Sequence, residues 1–170
     1  KTLGIIGMGR IGKAVARRAY LAFGMKVVYF NRSYIGSIDF PARPAQSIGH
    51  VMREADVVSI HLPGDKGNHG LINGNQISLM KQDSFLVNTS RGEVLDQEAL
   101  IRALSSGQIA GAGLDVFTNE PNVPKSLKNL DNVTLLPHIG SATKETRDKM
   151  GIMGVDNLIA HFDKQHYPSR

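Results

Sequence analysis

Short apolar runs alternate with longer amphipathic stretches from the first residues onward. Residues 3–6 are a compact apolar run that leads straight into glycines, as a buried strand does. From Ile11, apolar or small residues recur at Ala14, Val15, Ala19 and Ala22, a helical spacing that Gly24 ends. Residues 26–30, rich in valine and aromatics, predict a second strand, and 36–44, broken by Pro41 and Pro44, a loop. Residues 47–54 predict a short helix, 57–60 a third strand, and the turn-rich 63–74 loops over one end of a sheet. Residues 85–87 predict a strand, Asp96 is placed to cap a helix over 97–104, and 110–116 and 133–136 predict two more strands. A last helix is expected over 143–162.

Continuous strand–helix alternation predicts an α/β fold, a Rossmann-like doubly wound parallel sheet with helices on both faces. No internal repeat, low-complexity tract or linker divides residues 1–170, so they read as one domain.

Composition narrows the partners. Lys and Arg number 20 against 15 Asp and Glu, which suits an anionic ligand or simply a soluble surface. The basic residues are scattered and only 6% of the chain is aromatic, so nucleic acid is not expected as a partner. No apolar run approaches the roughly 20 residues of a membrane span, so no membrane partner is expected either. The absence of cysteine removes thiol catalysis, thiolate metal sites and disulfides, and fits a reducing, cytoplasmic setting. No metal site is expected. The chain opens on a strand entry rather than a signal peptide, and with no initiator Met an upstream segment is expected.

Gly7-Met8-Gly9-Arg10-Ile11-Gly12 is G-x-G-x-x-G between a predicted strand and a predicted helix. Gly7 permits the tight turn, Gly9 lets backbone approach a pyrophosphate, and Gly12 lets helix and strand pack closely. The helix N-terminus offers unpaired N–H groups to the phosphates. An acidic residue that holds a ribose 2′-hydroxyl is expected about 20 residues further on. Asn31-Arg32-Ser33 stands there instead, with no carboxylate to repel a 2′-phosphate and with two donors for one. The expected cofactor is therefore NADP(H), with NAD(H) possible; the bland reading of Arg32 is a solvated loop residue.

Three further stretches carry a resemblance. Residues 86–96 (LVNTSRGEVLD), 114–121 (LDVFTNEP) and 137–143 (PHIGSAT) resemble, in order, the signatures of the D-isomer-specific 2-hydroxyacid dehydrogenases. The resemblance implies Arg91 as the arginine that binds substrate, Glu120 as the acidic partner, and His138 as the acid–base histidine. A guanidinium can hold the carboxylate and carbonyl of a 2-oxo acid together, and a protonated imidazole can supply the proton that accompanies hydride transfer. A carboxylate beside the ring favours its charged form.

The resemblance also implies that Asp115 accepts from the nicotinamide carboxamide and that Thr89, Ser90 and Gly140 lie near that ring. Leu62 and Pro63 belong to the loop beside the adenosine, and Arg10 and Ile11 to the phosphate loop. The Asn31-Arg32-Ser33 segment and residues 117–124 (FTNEPNVP) look most like glyoxylate, hydroxypyruvate or 2-ketogluconate reductases, and less like NAD-linked phosphoglycerate dehydrogenases. The implied partner is a small 2-oxo or 2-hydroxy acid, and the parent protein is expected to be a homodimer. The family builds most of its substrate domain from residues ahead of the glycine-loop strand, with the chain tail returning to it. This chain alone is thus expected to bind cofactor but to turn over poorly.

Singly, each residue has a plainer explanation. An arginine beside a glycine in a turn is usually a surface residue, a histidine after a strand-end proline usually packs or hydrogen-bonds, and Asp115 could cap a strand. His61 and His69 are given only such structural roles. Two other classes share the glycine loop: a nucleotide-sensing corepressor-type module, which would bind without turnover, and an S-adenosylmethionine methyltransferase, which leaves Arg91, Glu120 and His138 unexplained.

Overall fold

The computed structural model describes residues 1–163, and the chain divides into two compact units, Lys1–Pro137 and His138–Arg170. The first unit is a seven-stranded parallel sheet. Its strands are β1 (Thr2–Ile6), β2 (Lys26–Phe30), β3 (Arg43–Pro44), β4 (Val57–Ile60), β5 (Phe85–Asn88), β6 (Gly111–Leu114) and β7 (Val133–Leu135). They run in the order β3-β2-β1-β4-β5-β6-β7. Chain order reverses beside β1, which pairs with β2 on one side and β4 on the other. That reversal opens a crevice at the carboxyl ends of the strands, where ligands of such sheets bind.

The sheet is covered on both faces because its central strands are apolar in both directions. Leu3, Ile5, Val27 and Tyr29 pack with Ala16 and Ala19 of helix α1 (Arg10–Phe23). Ile6, Val28, Val58, Ile60 and Leu86 pack with Val51 and Met52 of α2 (Ile48–Glu54) and with Leu100 and Leu104 of α4 (Gln97–Ser105). Between these lies the single turn α3 (Gly74–Ile77), and α5 (Lys125–Lys128) precedes β7. Ser47 caps α2 by accepting from the His50 amide, and Asp96 caps α4 by accepting from the Ala99 amide. Gly24 closes α1 in the left-handed conformation.

The structure corrects several local expectations. The inward stripe of α1 is Gly12, Ala16 and Ala19, whereas Ile11 is 69% exposed and Ala22 is exposed as well. Small residues win that face because the helix lies close to β1. The predicted 36–44 loop ends in an edge strand, with Arg43 and Pro44 paired to Val28 and Tyr29 and Phe40 buried beneath. Proline is tolerated there because β3 is the sheet edge. The strands expected over 110–116 and 133–136 are shorter, and the short helices α3 and α5 have no counterpart in the sequence pattern.

In the second unit, Thr143 caps α6 (Lys144–Phe162) by accepting from the Thr146 amide. Among the described residues no helix is long and apolar enough to cross a membrane.

Candidate functional site

The glycine loop follows β1 and is tied to β2, with the Gly7 amide donating to the Phe30 carbonyl at 2.9 Å. Gly7 has φ 95°, and a side chain on it would collide with the His61 carbonyl. A side chain on Gly12 would strike the Gly7 carbonyl, so the start of α1 is pressed against the loop. Gly9 is different, because a Cβ there would meet nothing within 4 Å. As the N-cap of α1 it brings no side-chain cap, and the first turn holds no acidic residue. The positive end of α1 is thus left to an anion that can approach bare backbone. These residues fit the pyrophosphate of a dinucleotide.

Beside the loop lies a cleft of about 710 Å³, walled on one side by Phe30, Asn31, Arg32 and Ser33 and on the other by His61, Leu62 and Pro63. Asn31 ties the turn after β2 to the glycine loop: its Oδ1 accepts from the Met8 amide at 3.0 Å and its Nδ2 donates to the Ser33 carbonyl at 2.9 Å. Arg32 and Ser33 are exposed at the mouth, with no carboxylate in that three-residue segment. His61 is half-buried and shares a 2.9 Å hydrogen bond between its Nε2 and Ser59 Oγ. Burial pushes its imidazole pKa below the ordinary histidine range.

A second cavity, of about 310 Å³, shares Leu62 and Pro63 with the first and adds Ile11, Thr89, Ser90 and Arg91. Ile11, missing from the core, lines this wall. Arg91 follows β5 and Asp115 follows β6; Asp115 is 2% exposed and its amide donates to the Asn88 carbonyl at 3.0 Å. Gly92 is buried against Phe117, whose amide donates to Glu120 Oε1 at 3.0 Å. The segments bearing Arg91 and Glu120 are thereby held together. Arg10, at the first position of α1, is exposed.

The candidates of the first unit therefore gather at the carboxyl ends of β1, β2, β4, β5 and β6. His138 and Gly140 belong to the second unit, where both are exposed. His138 has φ 56°, a left-handed backbone that costs a non-glycine residue about 1–2 kcal/mol. Asn88, in the sequence one position of a longer motif, is fully buried and bonded to the turn that carries Arg91. A polar residue closing an apolar strand was its signal.

Residues 1–140 match the NAD binding domain of the D-isomer specific 2-hydroxyacid dehydrogenases. The chain belongs to this family. It is 46% identical to a glyoxylate reductase of Thermococcus litoralis, over 99% of this chain and 50% of the relative. A glyoxylate/hydroxypyruvate reductase B of Pectobacterium carotovorum is 48% identical over 94% of this chain and 51% of the relative. Among solved structures, an NADPH-dependent glyoxylate/hydroxypyruvate reductase of Sinorhizobium meliloti, in complex with NADP and malonate, superposes with a TM-score of 0.89. It is 40% identical, with 95% of this chain and 50% of that chain covered. The chain thus spans about half the length of the family members it matches.

Proposed function

We propose that the full-length protein is an NADPH-dependent reductase of a small 2-oxo acid, of the glyoxylate or hydroxypyruvate kind, and that its product is the D-2-hydroxy acid. The observation that carries this reading is a cleft with two cationic ends: Arg32 beside the adenosine-side cavity and Arg91 beside the adjoining one. The first suits a 2′-phosphate and the second a substrate carboxylate. The two reductases named above and the NADP-bound relative support the same choice.

When bound, a reduced nicotinamide supplies the hydride. Gly9 and the N-terminus of α1 receive the pyrophosphate, with Arg10 and Ile11 alongside. Arg32 and the Ser33 hydroxyl donate to the 2′-phosphate, and Asn31 holds their turn against the glycine loop. Leu62 and Pro63 flank the adenosine side, while Thr89, Ser90, Asp115 and Gly140 serve the nicotinamide side. Arg91 grips the 2-oxo acid through its carboxylate and orients the carbonyl. His138 gives its proton to the carbonyl oxygen and regains one in the reverse oxidation. Glu120 takes the role of the trio's acidic member that the family resemblance gives it.

The test is a fluorescence titration of this chain with NADPH and, separately, NADH, followed by turnover of glyoxylate and hydroxypyruvate by the full-length protein. A preference for NADPH of about tenfold or more, the worth of one hydrogen bond to a charged group, is expected, with turnover of at least one acid. Preference for NADH would sink the 2′-phosphate assignment. Tight binding without turnover would point to a nucleotide sensor instead.

A further inference from the structure

Asn88 ends β5 with 0% of its surface exposed, and its side chain makes three hydrogen bonds to the turn that follows. Its Oδ1 accepts from the Ser90 amide at 3.0 Å and from the Ser90 hydroxyl at 2.8 Å, while its Nδ2 donates to the Arg91 carbonyl at 3.0 Å. A primary amide can accept and donate in this way from one planar group, whereas a carboxylate can only accept. The Asn88 carbonyl is itself held in the sheet by the Asp115 amide. The backbone that launches Arg91 is therefore shaped from the buried side, and the Ser90 hydroxyl is turned inward toward Asn88.

The stem of Arg91 meets a second constraint from the loop after β4. A Cβ on Gly64 would lie 2.9 Å from Arg91 Cγ and 3.3 Å from Arg91 Cβ. Gly64 has no left-handed backbone that would demand glycine, so what it provides is room for the arginine. The guanidinium continues from this seat to donate from Nη1 to the Ser90 carbonyl at 2.6 Å.

We infer that Asn88 and Gly64 are positioning residues for Arg91: one fixes its backbone, the other seats its stem, and together they aim the guanidinium. The inference rests on the reading of Arg91 as the anchor of the 2-oxo acid. Neither residue is assigned a contact with substrate. A planar two-pronged anchor works only when correctly aimed, and a misplacement of about 1 Å can cost on the order of a hundredfold.

The experiment compares Asn88→Asp, Gly64→Ala and Arg91→Lys in the full-length protein, with steady-state kinetics on glyoxylate and NADPH titrations of each variant. Asn88→Asp keeps an acceptor for Ser90 but sets a second oxygen against the Arg91 carbonyl, and Gly64→Ala pushes on the arginine stem. Both are expected to raise KM for glyoxylate by about tenfold or more, with a smaller change in kcat and an NADPH Kd within about threefold of the parent. Because Asn88 is buried, its variant could lose the fold, and the exposed Gly64 is the cleaner arm. If Arg91→Lys raises KM while Gly64→Ala leaves it unchanged, the positioning role is overturned and the substrate reading stands. If Gly64→Ala weakens NADPH binding as much as it raises KM, the glycine is merely structural and the inference fails. If Arg91→Lys itself leaves KM unchanged, the substrate reading fails and the inference falls with it.

Discussion

Gly92 lies so closely on the backbone of Phe117 that any side chain on it would overlap the Phe117 carbonyl group. This contact fastens the turn after β5 to the segment after β6, because the Phe117 amide is also the donor to Glu120 Oε1. Gly92→Ala inserts a methyl group where main chain already stands, and neither side can yield by changing a rotamer. The expected cost is about 1–3 kcal/mol or more, read as a lower urea midpoint with an unchanged m value. An unaltered midpoint would show that the two segments part easily.

The proposed NADPH preference is tested most directly at Asn31. Asn31→Asp keeps an oxygen for the Met8 amide but loses the donor to the Ser33 carbonyl, and it places a negative charge beside the proposed 2′-phosphate. NADPH affinity is expected to fall by about tenfold or more, while NADH affinity holds or improves as the carboxylate takes up the ribose hydroxyl. Equal losses for both cofactors would mean that the substitution damages the glycine loop rather than the choice between them.

Much of this architecture was legible in the sequence because it depends on local chemistry. The run from Leu3 to Ile6 followed by Gly7 marks a strand entering a tight glycine turn, and Asp96 caps α4 as its position before an amphipathic stretch implied. What escaped depends on approach between distant segments. Ile11 fits the helical spacing of α1 as well as Gly12 does, and only the closeness of the helix to β1 turns Ile11 outward. Gly64 reads as one more loop glycine until the Arg91 stem is found against it. Asn88 reads as strand until its three bonds to the following turn are seen.

At the opposite end of the strands, Asp56 joins two segments. Its Oδ2 accepts from the Thr2 amide at 2.6 Å and its Oδ1 from Lys81 Nζ at 2.9 Å. The hydrogen bond from Lys81, aided by the one from Thr2, holds the carboxyl pKa below its usual value of about 3.9. The fold thus prefers the carboxylate. Its contribution is fully present above about pH 4 and is lost as pH falls through the lower folded-state pKa. Asp56→Asn is expected to cost about 1 kcal/mol at pH 7, discounted because Lys81 is 39% exposed, and to flatten the acid limb of a plot of Tm against pH. An acid limb as steep as the parent's would assign that loss to other carboxylates.

His61 acts on the same plot at higher pH. Burial lowers its pKa, so the folded ring stays neutral over a range in which an unfolded histidine, with a pKa of about 6.5, takes up a proton. Across that range the unfolded state binds more protons, and stability therefore declines as pH falls below about 6.5. The decline ends only when the folded ring protonates as well. This is the reverse of a histidine stabilised by an acidic partner, whose contribution grows on acidification. Urea melts at pH 7.5 and pH 5.5 should show a loss of stability in the parent that is smaller in His61→Gln, whose amide cannot titrate but can still reach toward Ser59. A loss of the same size in both proteins would mean that the imidazole is not kept neutral by its burial in the cleft wall.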